Sequence, residues 1–350
     1  MMAQSYSIGP LTGLLKVRYK VITSILGEDF NPTKGLDVFI DMNTLLSAMT
    51  SSQKFQNSLP FAENVEIDII SSVLMILKHW KDYTNKWEDV RIFMIANNFE
   101  MVMLPEQNIL KSYLIPYMHK YENDRYKQMV YYWNESIKRI KIILKYIPRA
   151  YFIDCQRVDS YIIPNVIDDY EHNGRHRIIL SGNSLFTNYH YMTNCHVIYT
   201  KYKHTGMMQL SDPLMIAQSM AKIDDEIMIA FIKNKVFYNL LNAIIGDFNR
   251  GLIGLTQLGI TKFASTLIRA VEKREIIDNP KAIETVLPVI DEAYHDYLKQ
   301  VYPLIDIETH SMMIPNSIIE KIKSEMMIDL YDIDGLRSLS INGLNLLELI

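Results

Sequence analysis

The feature that most constrains this chain is a short apolar run, Leu36-Asp37-Val38-Phe39-Ile40-Asp41, whose type recurs four more times. It is rich in β-formers, follows the turn signal Asn31-Pro32-Thr33-Lys34-Gly35, and ends in a carboxylate. Val90–Ile95, Arg149–Asp154, Arg177–Gly182 and Cys195–Thr200 have the same character. Apolar runs of this kind are strands buried on both faces, as in parallel sheets. Between them lie stretches with helical spacing: residues 65–86, with Ile67, Ile70, Val73, Leu77 and Trp80, and Val158–Glu171. Strand alternating with helix predicts an α/β domain, a mostly parallel central sheet flanked by helices. In such sheets ligand sites lie beyond the C-terminal strand ends. That puts Asp41 at a candidate site, with Asn43 or Thr44 expected to cap the following helix.

Outside this core the organisation is simpler. Leu11–Leu26 reads as one helix of an N-terminal extension over residues 1–35. The α/β pattern occupies 36–205. From about residue 206 to 350 the spacing is helical almost throughout, punctuated by Pro280, Pro288, Pro303 and Pro315. At 49% hydrophobic and 22% charged residues, the 350-residue chain has ample apolar surface for a core. Its net charge of −4 provides no global attraction to nucleic acid, so any such contact must be local. Cys155 and Cys195 lack metal or redox spacing and suggest a reducing compartment, either host cytoplasm or a particle assembled there. No apolar run has the length of a membrane span. The abundance of Ile, Asn, Lys, Tyr and Met resembles AT-rich coding and points to a phage or other mobile element.

Two stretches carry candidate binding chemistry. Residues 105–149, an insertion between two strands, contain nine Lys or Arg interleaved with tyrosines and Trp133. Arg125, Lys127, Lys138, Arg139, Lys141 and Lys145 are its candidate nucleic-acid contacts, since phosphate affinity combined with base stacking calls for cations beside aromatics. A solvated face on an ordinary amphipathic helix has the same composition. The second stretch, Ile245 to Ala264, reads as a helix end, a Gly-rich loop and a helix opening on Thr261. Such a turn can present backbone N–H groups to a phosphate, with Gly254, Gly259 and Lys262 as the candidates. It can equally be a helix-to-helix turn in which glycine supplies φ > 0. The nine histidines form no zinc spacing, and neither a Walker A loop nor a Gly-x-Ser-x-Gly motif occurs.

Taken in order, these pieces resemble the flap-endonuclease-like 5′-nucleases, including phage-type 5′→3′ exonucleases, and the wider PIN-like fold. In that family the first strand ends in an Asp, matched by Asp41. A second strand end is matched by Ala96-Asn97-Asn98, and the following Tyr-Lys-x-x-Arg segment by Tyr121 to Arg125. The Glu-Ala-Asp-Asp motif is matched by Arg157-Val158-Asp159-Ser160, and Ser-Gly-Asp-x-Asp by Ser181-Gly182-Asn183-Ser184-Leu185. A helix-hairpin-helix with Gly-Ile-Gly corresponds to Gly246–Ala264. The resemblance covers about residues 36–275.

What the resemblance implies is qualified by the departures. The family's nucleases hold divalent ions, usually Mg²⁺, on clustered carboxylates. Here only Asp41 and Asp159 remain, while Arg157, Ser160, Asn183, Leu185 and Arg250 stand at the other positions. Cations at ligand positions repel a metal, so the resemblance implies an inactive relative with no catalytic residues and no cofactor. Arg157 and Arg250 can then pair with Asp41 and Asp159 as a salt-bridged remnant; the alternative is that Arg250 faces outward and binds a phosphate directly. Gly259-Ile260-Thr261 lacks the second hairpin glycine. Three readings follow: a non-catalytic DNA-binding protein of replication or packaging, a structural component of a phage particle with protein partners, or an active Mg²⁺-dependent nuclease with rearranged ligands.

Overall fold

The structure, a computed structural model, describes residues 30–45, 62–96, 124–155, 160–168, 174–182, 184–192, 194–199, 234–247, 252–253, 255, 260–273, 275, 280–326, 340–341 and 344–345. Five strands form one sheet: β1 (Leu36–Asp41), β2 (Val90–Ala96), β3 (Ala150–Asp154), β4 (His176–Ser181) and β5 (Cys195–Tyr199). All neighbours run parallel, in the order β3-β2-β1-β4-β5. The expected mostly parallel α/β sheet is therefore present, with β1 at its centre.

Every residue of β1 is buried, which is why the strand reads as a continuous apolar run. Register and period-two alternation divide the sheet's side chains between two cores. Val38, Ile40, Ile92, Met94, Phe152, Ile178, Leu180 and Ile198 face one core; Phe39, Phe93, Ile95, Ile153, Ile179 and Val197 face the other. The first core is closed by α1 (Ala62–Thr84) and α2 (Asp124–Leu144), which bury Trp80 and Trp133 completely. In α1 the buried stripe is Val65, Ile69, Ile70, Val73, Leu74, Ile76, Leu77 and Trp80. Ile67, expected on that face, is 37% exposed because it lies on the rim of the stripe.

The second core is closed by a 3₁₀ turn (Ser160–Ile162), α3 (Ile163–Asp168), a longer 3₁₀ segment (Ser184–Tyr191) and the C-terminal helices. Those helices are α4 (Lys235–Ile245), α5 (Ile260–Glu272), α6 (His295–Ile305), α7 (Ile307–Met312) and α8 (Asn316–Glu325). The helix expected over Val158–Glu171 is thus a 3₁₀ turn followed by α3 in its described part. The two-sided arrangement follows from right-handed crossovers. The steps from β1 through β3 travel one way across the sheet, and the return to β4 and β5 travels the other, so the connections cover opposite faces.

At the N-terminal edge, residues with positive φ launch the strands. Gly35 (φ 99°), Asp89 (49°), Arg149 (59°) and Asn194 (56°) immediately precede β1, β2, β3 and β5. Their carbonyls accept from the neighbouring strand, as in Leu36 N–H to Asp89 O at 3.1 Å and Ile92 N–H to Arg149 O at 2.9 Å. Arg149, expected to open the third strand, is therefore excluded from it by its left-handed backbone. An ion cluster ties this edge together. Arg91 makes two bonds to the buried Asp37 carboxylate at 2.8 and 2.7 Å. Arg175 donates to Asp37 at 3.0 Å, to Asp89 O at 2.7 Å and to the Asp89 carboxylate.

Beyond the sheet, α4 is buried from Val236 to Ile244 and is capped by Asn234, which accepts from Val236 N–H at 2.8 Å. It ends at Gly246, whose positive φ of 75° a side chain would strain. The expected Gly-rich loop then departs from its description. Gly246–Asp247 (β6) pairs antiparallel with Leu252–Ile253 (β7), and α5 opens at Ile260. A second small ribbon, Ser340–Ile341 (β8) with Leu344–Asn345 (β9), lies near the C-terminus, so the region after 206 is not wholly helical. Leu11–Leu26 lies outside the described residues.

Candidate functional site

The strand order reverses between β1 and β4, so the crevice at their C-terminal ends is the topological switch point, where open α/β sheets place ligands. Asp41 ends β1 there and is 1% exposed. Ser181 Oγ, at the end of β4, donates to Asp41 Oδ2 at 2.6 Å. Thr44 Oγ1 donates to the same oxygen at 3.2 Å, and the Asn43 backbone N–H donates to Oδ1 at 3.1 Å. The last contact makes Asp41 itself the cap of the turn beginning at Met42. The sequence pointed to Asn43 or Thr44, but it is Asp41, preceding both, whose side chain accepts from the Asn43 N–H.

The chain of contacts continues outward. Thr44 Oγ1 accepts from Gly182 N–H at 2.7 Å, joining the two strand ends. Asn43 Nδ2 donates to Ser160 Oγ at 3.2 Å, bringing in the 3₁₀ turn of the second core. Asp41, Ser160 and Ser181, paired only by motif order in the sequence, thus meet at one place. Burial dominates the electrostatics. It pushes the Asp41 carboxyl up from 3.8 to about 6, against the lowering effect of the bonds from Ser181, Asn43 and Thr44.

The surroundings of this carboxyl offer few of the ligands a metal needs. Its oxygens already accept three donors, and the nearby oxygens of Ser160, Ser181 and Thr44 are neutral. A hard divalent cation seeks several oxygens with more than one negative charge among them. Among the described residues there is no group of three or more His, Cys, Asp or Glu able to hold a metal ion. The residues described here do not fit Mg²⁺. Leu185, at a ligand position of the nuclease motif, is 2% exposed and packs in the second core with Phe186 and Tyr189. Asp154 also ends a strand, but it registers with Ala96 and faces the α2 side, where Lys141 Nζ lies 3.9 Å from it. It therefore points away from Asp41. Arg157, Asp159, Asn183, Arg250, Gly254 and Gly259 lie outside the described residues, and the expected Arg–Asp remnant pairs with them. Among the described residues Asp41 has hydrogen-bonding partners but no cation.

The basic helix is α2. Arg125 and Lys127 fall in its first turn. Lys138 is paired with Glu135 at 2.5 Å, and Arg139 with Glu66 of α1 at 3.0 Å. Both cations remain more than half exposed, and such pairs contribute only about 0.2–1 kcal/mol and exchange readily with phosphate. Tyr131 (57%) and Ile142 (59%) are exposed on the same helix, and Lys145 is half-buried. Lys262 is exposed on α5. The α2 and α5 helices pack on opposite faces of the sheet, so the structure does not bring the two candidate binding stretches together. Among the described residues no helix is long and apolar enough to cross a membrane.

Sequence reasoning missed the Asp37–Arg91–Arg175–Asp89 cluster. An Asp inside an otherwise apolar strand was the signal, since a buried carboxylate requires a partner. No protein-family model and no curated protein matches this chain.

Proposed function

We propose that this chain is a catalytically silent relative of the 5′-nuclease and PIN-like domains that binds nucleic acid without cleaving it. The observation that carries this reading is Asp41. On this reading it corresponds to the family's first metal ligand at the switch point, yet it is buried, its oxygens accept from Ser181, Thr44 and Asn43, and among the described residues it belongs to no group of three or more metal-ligating side chains. Two-metal hydrolysis needs an ionised, accessible carboxylate cluster. On this reading the α4–ribbon–α5 unit is a degenerate helix-hairpin-helix, and binding rests on the exposed cations and Tyr131 of α2.

The test is a pair of measurements on the full chain. Flap and single-stranded DNA should remain uncut in Mg²⁺ or Mn²⁺, while mobility shifts at low salt show binding that weakens steeply as salt rises. Cleavage abolished by Asp41→Ala overturns the silent-site reading. Absence of any shift at low salt overturns the binding reading.

One observation favours a second reading, a structural role in a particle or replication assembly. The pairing of Lys138, Arg139 and Lys141 with Glu135, Glu66 and Asp154 reduces the charge α2 can offer to phosphate. A stable homo-oligomer with no DNA affinity is the outcome that selects it.

A further inference from the structure

One of the segments that connect the switch-point crevice to the C-terminal helices is the 3₁₀ turn and α3 over residues 160–168. Ser160 faces the crevice, where its Oγ accepts from Asn43 Nδ2. The next residue, Tyr161, is 1% exposed and points the other way, its hydroxyl donating to Leu304 O. That carbonyl belongs to the last turn of α6, where intrahelical partners run out. His310 of α7 completes the contact, with Nδ1 3.0 Å from Leu304 O and also bonded to the Tyr161 hydroxyl. Four residues on, Asn165 makes a second tie, its Nδ2 donating to Ser311 Oγ of α7 at 3.0 Å. The Asn165 backbone N–H donates to Tyr189 Oη at 3.0 Å, anchoring α3 to the second core.

We infer that the C-terminal helices α6 and α7 act as a clamp on the switch-point site, holding Ser160 against Asn43 through Tyr161 and Asn165. The order of the Asp41 turn then depends on a layer distant from it in sequence, and whatever displaces α6–α7 opens the crevice. This concerns how the site is held and is independent of what it binds, so it stands or falls apart from the nucleic-acid reading.

The experiment is amide hydrogen exchange on the full-length protein at neutral pH. Two amides report on the crevice directly: Asn43 N–H, bonded to Asp41, and Gly182 N–H, bonded to Thr44. In Tyr161→Phe both should exchange about tenfold faster, the effect of losing roughly one buried hydrogen bond. Phe39 and Ile40 amides in β1 should be unchanged. Ser160→Ala cuts the link at its other end and should give the same pattern, and the double variant should add little to Ser160→Ala alone. Asn165→Ala, less buried and milder, should shift the same two amides in the same direction. Unchanged Asn43 and Gly182 amides, additive effects of the two substitutions, or equal acceleration across β1 would each overturn the clamp.

Discussion

Asp41→Asn separates a desolvated carboxyl from a salt-bridged one, and the difference appears as pH dependence of stability. In the folded protein the Asp41 carboxyl titrates at about 6, against 3.8 for the ordinary group. The folded state therefore binds the proton more tightly than the unfolded chain. Between those two values the folded state holds more protons, so stability falls as pH rises and levels off above about 6. A shift of about 2 units at about 1.4 kcal/mol each corresponds to roughly 3 kcal/mol across this window. Asparagine keeps the shape and cannot ionise. Urea unfolding of both proteins at intervals from pH 4 to 8 cancels the titration of all other groups. The wild-type stability minus that of the variant should fall by about 2 kcal/mol or slightly more on going from pH 4 to pH 7, most of the full span. A flat difference would refute the desolvated carboxyl. A difference that rises with pH would reveal a cation beside Asp41, the role expected of Arg157 or Arg250 from the sequence.

Other outcomes are open to simpler measurements. Gly35→Ala should destabilise by about 1–3 kcal/mol in chemical denaturation, because φ is 99° and the new Cβ meets the Arg175 guanidinium. Arg175→Met should cost about 3 kcal/mol, leaving Asp37 to Arg91 alone and Asp89 O with only the Leu36 N–H; retention of the wild-type urea midpoint would count against the cluster's importance. Charge reversal in the pair Lys138→Glu and Arg139→Glu should weaken low-salt DNA binding and reduce the salt slope by about 2, with stability changed by less than about 1 kcal/mol. A slope identical to wild type would remove α2 from the interface. Leu185→Asp should lower the unfolding midpoint strongly, since it places a charge in the second core, and no gain of metal-dependent cleavage is expected from it.

The strands were legible because a strand covered on both faces is apolar at most positions, as the central residues of β1 to β5 are. The boundaries that moved did so for backbone reasons. Arg149 reads as a strand residue by neighbourhood, but a positive φ removes it, and no side-chain pattern encodes that for a non-glycine. At the site, Asp41 was found because a carboxylate at a strand end stands out against an apolar run. Its partners were not found by chemistry: Ser181 entered only through motif order, as did Ser160 beside Asn43, and Thr44 only as a possible cap. The basic stretch was legible as composition, whereas its pairing with Glu135, Glu66 and Asp154 depends on which helices and strands face one another.

The sequence by itself determined the layers, since periodicities of two and of three to four residues are local properties that each segment carries wherever it sits. Only the tertiary structure decided the strand order and, with it, the meeting of residues 41, 44, 160, 181 and 182 in one crevice. The same holds for the protonation bias of Asp41. A pKa is set by how much water and charge surround the group, and part of the enclosure here comes from Ser181, 140 residues away.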